Sequence, residues 1–92
     1  MNNFISLNTL IDNIDRKTAE ISFELQTGFC GCICDYTKID IQIEDIHVIF
    51  KDGNNPNPNN INFDINTLRS IEQISDNEYV IITDDCTLQI KL

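Results

Sequence analysis

The chain has 92 residues, 41% of them hydrophobic and 23% charged, a balance that supports one globular domain spanning 1–92 and leaves no room for a second core. Asp and Glu number 15 against 6 Lys and Arg, a formal net charge of -9 at pH 7. Nucleic-acid phosphates and anionic lipid are bound through clustered Lys and Arg, so this composition speaks against direct nucleic-acid or membrane binding.

The N-terminus, Met1-Asn2-Asn3-Phe4, has neither the positive charge nor the apolar run of a secretory signal. No stretch approaches the roughly 18–20 apolar residues of a transmembrane helix. A cytoplasmic location is therefore expected, with the cysteines as reduced thiols.

Leu7, Leu10, Ile11 and Ile14 follow the i, i+3, i+4, i+7 spacing of one helix face. Ser6 is a suitable N-cap, with Ile5 and Leu10 at the two positions of a hydrophobic staple. The pattern predicts a short helix over 6–15. Two turns are too few to be stable alone, so the helix must dock on an apolar surface.

From Thr18 the period changes to two, and 18–92 reads as β-rich. Ile21, Phe23 and Leu25 alternate with Glu20, Ser22 and Glu24, the pattern of a strand with one wet face. Gln26-Thr27-Gly28 reads as a turn, Phe29 to Tyr36 as a second strand, and Ile39, Ile41 and Ile43 as a third. At Glu44-Asp45 the apolar parity shifts to Ile46, Val48 and Phe50. A β-bulge in one continuing strand is the favoured reading, and a tight hairpin turn the alternative.

Lys51 to Asn60 is the one clear loop, rich in Asn and interrupted by Pro56 and Pro58, and it is expected to be flexible. Ile61, Phe63 and Ile65 resume a strand. Leu68, Ile71 and Ile74 recur every three residues, which fits a helical turn or an irregular bent strand. A turn at Asp76-Asn77 and a closing hairpin about Asp84-Asp85 complete the chain. The expected fold is α+β and mostly β: a short N-terminal helix packed on a small curved antiparallel sheet or a partly open barrel of five to seven strands. In element order that arrangement is similar to SH3-like and Sm-like barrels.

The most unusual local feature is Cys30-Gly31-Cys32-Ile33-Cys34. Together with Cys86 these thiols are the candidate metal ligands. Zinc sites, however, usually take ligands two to four residues apart on a tight turn, and a straight strand wraps a metal poorly. Packing as small buried hydrophobes is the favoured alternative, with redox chemistry a third. No C-x-x-C is present, and no cofactor is expected. His47 is the single histidine, set in a strand with nothing local to make it a general base. No phosphate-cradling or metalloprotease motif occurs, and no enzymatic activity is expected.

The carboxylates form the remaining pattern. Glu20 and Glu24 stand on the wet face of one strand, Asp40 and Glu44 on that of another, with Asp45 beyond. If those strands share a sheet, the face is a negative grid able to mimic a phosphate backbone, although polar strand faces are commonly charged for solubility alone. These residues, with Asn55 and Asn57 of the loop, are the candidate contacts for a protein partner bearing a basic surface. The expected role is inhibition or neutralisation of that partner, of the kind seen in toxin-immunity or mobile-element anti-defence proteins. A cysteine-based metal or redox module and a small-ligand-binding oligomer are the alternatives. Exposed sheet edges also offer self-association.

Overall fold

The computed structural model describes residues 3–26, 31–54 and 60–92. Helix α1 (Leu7–Ile14) is followed by strands β1 (Ala19–Leu25), β2 (Cys32–Tyr36), β3 (Ile39–Glu44), β4 (His47–Asp52), β5 (Ile61–Asp64), β6 (Leu68–Ser75), β7 (Glu78–Thr83) and β8 (Cys86–Lys91). They form two antiparallel sheets, of order β2-β1-β8-β7-β6 and β3-β4-β5. The α+β, mostly β class is as expected, with more strands than anticipated among the described residues, and the sheets do not close into a barrel. No described helix is long and apolar enough to cross a membrane.

Alternation builds the core. Ile21, Ile71, Tyr79, Ile81, Leu88 and Ile90 come from the inner face of the five-stranded sheet. Ile39, Val48, Phe50, Ile61 and Phe63 meet them from the three-stranded one, where the Phe50 and Phe63 rings lie 6.3 Å apart between centroids. Leu10 and Ile14 complete the same cluster from the helix, and both are fully buried.

The helix starts where the sequence places it. The Ser6 Oγ accepts the Thr9 N–H at 3.2 Å, satisfying one of the amides that a helix start leaves unpaired. Before it, Ile5 N–H donates to the Ile71 carbonyl and Gln73 N–H to that of Asn3, so the leading segment lies along the edge of β6. After it, Arg16 turns the chain at φ 63°, and residues 16–17 exchange backbone bonds with Ile39 of β3 at 2.8 and 2.9 Å. The chain around α1 thus fastens β6 to β3 and closes that seam between the sheets.

The favoured reading of Glu44-Asp45 was a bulge, and the structure corrects it. Glu44 pairs with His47 across a two-residue hairpin loop of Asp45 and Ile46. Asp45 supplies the left-handed backbone that the turn needs, at φ 57°, a conformation Asp tolerates better than most residues. The parity shift follows from the pairing: Ile43 stands opposite Val48 and Ile41 opposite Phe50, so odd and even residues share one face. The true irregularities lie in β6, whose pairing with β7 shifts between Leu68 and Ser70 and again between Gln73 and Ser75. The first shift lets Leu68 and Ile71, three apart, both reach the core. The bent-strand alternative for this segment is the one observed.

The loop expected at 51–60 begins later than its composition suggests. Lys51 and Asp52 belong to β4, and the Asp52 side chain turns inward. Its carboxylate accepts the Thr37 N–H at 3.1 Å, the Thr37 hydroxyl at 3.0 Å, the Lys38 N–H at 3.3 Å and the Asn54 N–H at 3.0 Å. These bonds hold the corner by which the chain passes from one sheet to the other. The Asn54 and Thr37 amides, favouring the charged form, draw the Asp52 carboxyl below the ordinary carboxylate range.

Candidate interaction surface

Because alternate residues of a strand share a face, the strand registers fix what the outer side of the five-stranded sheet presents. One row runs Asp35, Glu20, Lys91, Glu78 from β2 to β7. The next runs Ile33, Ser22, Gln89, Val80, Glu72 and ends on Phe4, which bridges to Glu72. A third runs Glu24, Thr87, Ile82, Ser70. Carboxylates of Glu20, Glu24, Asp35, Glu72 and Glu78 therefore surround a single ammonium, that of Lys91. Among them stand Ile33, 67% exposed, Phe4, 59%, and Ile82, 39%. Glu20 faces Asp35 directly across the strands, a like-charge pairing that opposes folding.

Glu20 and Glu24 thus sit together as their alternation implied. Asp40 and Glu44 do not join them, because β1 and β3 belong to different sheets whose inner faces share the core. The single four-carboxylate grid is not formed. On the three-stranded sheet Lys51 moderates the charge: its Nζ donates to Gln42 Oε1 at 2.9 Å and lies 3.9 Å from Glu44, while Gln42 Nε2 donates to Asp40. Asp45 serves the hairpin turn. Asn55, Asn57 and Cys30 lie outside the described residues. Asp35, Glu72 and Glu78, which the sequence did not single out, complete the acidic face instead. The alternation of Asp35 with Cys34 and Tyr36 was the legible signal for the first of them.

The described thiols are dispersed. Cys32 and Cys34 share one side of β2, but against the expected core packing Cys32 is exposed and Cys34 only half-buried; Cys86 alone of the described thiols is buried, on β8, with β1 between the two strands. Two strand spacings, about 10 Å across the sheet, and an offset of two residues or more along it part Cys86 from the pair. Burial, and then the neighbouring Cys32, pushes the Cys34 thiol up, away from the thiolate that metal binding or exchange requires. Among the described residues no group of three or more His, Cys, Asp or Glu side chains gathers to hold a metal ion. His47 is exposed and paired across strands with Glu44 and Asp64, with no thiol beside it in the register.

Among the described residues, two hollows stand out. One, of about 330 Å³, is lined by Asp15, Arg16, Lys38, Ile39, Asp40 and Gly53, where opposite charges offset each other. With Lys17 adjacent, this corner gathers half of the 6 Lys and Arg of the chain. The other hollow, of about 250 Å³, lies where β2 and β5 come together and is lined by Phe23, Cys32, Asn60, Ile61 and Asn62. At the far end of β2 the buried Tyr36 hydroxyl donates to the Phe50 carbonyl at 3.4 Å and meets the backbone of Ile61. Tyr36 thereby stitches the end of a seam that opens into the hollow. No family model, curated protein or solved structure matches this chain.

Proposed function

We propose that the chain is a non-enzymatic binding protein that acts by contact with a partner protein bearing a basic surface, inhibiting or neutralising it. The observation that carries this reading is the outer face of the five-stranded sheet, where exposed Ile33, Phe4 and Ile82 stand among Glu20, Glu24, Asp35, Glu72 and Glu78. Apolar side chains provide the area that association buries, and charges of one sign select the partner and speed its approach. A rigid sheet carries these groups with little ordering left to do on binding. Glu20 and Asp35 add a second support, since a cation brought between them relieves their repulsion.

The test is affinity capture from native lysate at moderate salt, with the intact chain and a Glu24→Lys, Glu72→Lys variant as paired baits. The expected result is a partner with a basic surface that the intact chain retains and the charge-reversed chain releases. Equal retention by both baits would remove this reading.

A further inference from the structure

We infer that the partner contributes an extended, basic and apolar segment that pairs with the edge of β2 and drops a side chain into the hollow between β2 and β5. This rests on the protein-contact reading above and names where and how that contact is made. Each sheet edge is a row of backbone donors and acceptors able to template a further strand. The two edges of the five-stranded sheet are treated differently. The chain's own residues 3–5 cover β6, through the Ile5–Ile71 and Asn3–Gln73 backbone bonds. Among the described residues β2 pairs with β1 alone, and Ile33 at its centre is 67% exposed.

The two faces of β2 specify the segment that would fit. On the outer side an added strand runs beside Asp35 and Ile33, with Glu20 one strand further in, so Lys or Arg there meets carboxylates. On the inner side the next residue along points toward Phe23, Cys32 and Ile61, where about 250 Å³ admits an aliphatic side chain. Backbone pairing supplies affinity, and the alternation of cationic and aliphatic positions supplies selectivity. Charge also decides between occupants. A second copy of this chain carries the same net -9 and brings Asp35 toward the same edge, whereas a cationic strand is attracted to it.

The experiment titrates the full-length, isotope-labelled chain with two synthetic heptapeptides, one alternating Lys and Val and one alternating Glu and Val, and follows amide resonances and hydrogen exchange. Expected with the basic peptide are shifts concentrated on Cys32–Tyr36, Phe23 and Ile61, and exchange of the β2 amides slowed about tenfold or more. The acidic peptide should do neither. Ile33→Lys, which places a cation on the edge, should weaken binding about tenfold, Asp35→Lys should act similarly, and Ile74→Lys should leave it unchanged, all with unaltered circular dichroism. Shifts that avoid β2, comparable binding of the acidic peptide, or full binding by folded Ile33→Lys would overturn strand addition. So would a dimer, seen by sedimentation, that excludes the peptide. If the edge variants still capture a partner that Glu24→Lys, Glu72→Lys loses, the protein-contact reading survives and only the strand-addition inference falls.

Discussion

The two seams between the sheets are closed by different means. Between β6 and β3 the chain uses its own N-terminal segment: backbone bonds at both ends, and Leu10 and Ile14 filling the space between with no exposed surface. Between β2 and β5 the Tyr36 phenol bonds to the Phe50 carbonyl and Ile61 joins the core, but beside them a hollow lined by Phe23, Cys32 and Ile61 stays unfilled by the described side chains. A seam packed with aliphatic side chains carries much of the folding energy of a small domain. A seam left partly hollow buries less apolar surface at that point, and can admit a side chain without unfolding the rest.

Three measurements sharpen that contrast. The largest effect is expected for Leu10→Ala, which empties part of the packed seam and should lower stability in urea unfolding by about 2–5 kcal/mol. A loss below about 1 kcal/mol would mean that the helix is not what holds β6 and β3 together. Tyr36→Phe should cost about 1 kcal/mol at neutral pH, the usual worth of one buried hydrogen bond. It should also alter the alkaline limb. Burial pushes the Tyr36 phenol up to about 12, against about 10 when unfolded, so the folded chain keeps a proton that the unfolded chain releases. Stability is therefore full below about pH 10 and declines as pH rises toward about 12. The variant should flatten that decline, and an unchanged alkaline limb would show that the phenol is not shielded in the seam. The smallest change is expected for Asp35→Asn. Removing the charge opposite Glu20 should raise stability by a few tenths of a kcal/mol. A stability loss there would show that Asp35 supports the fold rather than charging the edge beside the open seam.

Much of this architecture is written in residue spacing. The helix, its Ser6 cap, the alternation of β1 and the hairpin at Asp84-Asp85 follow from periods of 3.6 and two. The error at Glu44-Asp45 has a simple origin. A parity change marks either a bulge within one strand or a reversal with an even-numbered loop, and Asp45 lacks the neighbouring Gly that usually announces the second. Asp52 was hidden in a stretch whose composition reads as loop, because its burial depends on Thr37 and Lys38 from a distant corner. The acidic face was half legible for the same reason. Period two tells which residues share a strand's wet side, but it does not say which strands become neighbours. Glu24 was readable within β1, whereas its grouping with Glu72 and Glu78 depends on β8 coming between β1 and β7.

The gathering of Arg16, Lys17 and Lys38 at one corner has a consequence for kinetics. Asp15 and Asp40 offset most of that positive charge, whereas the carboxylates of the outer strand face have only Lys91 among them, so the domain's negative charge is spread unevenly over its surface. An oppositely charged body drifting within a Debye length, about 8 Å at physiological salt, feels a torque as well as a pull. Many of its collisions are then pre-aligned, which raises the productive fraction and makes the association rate fall steeply as salt is added.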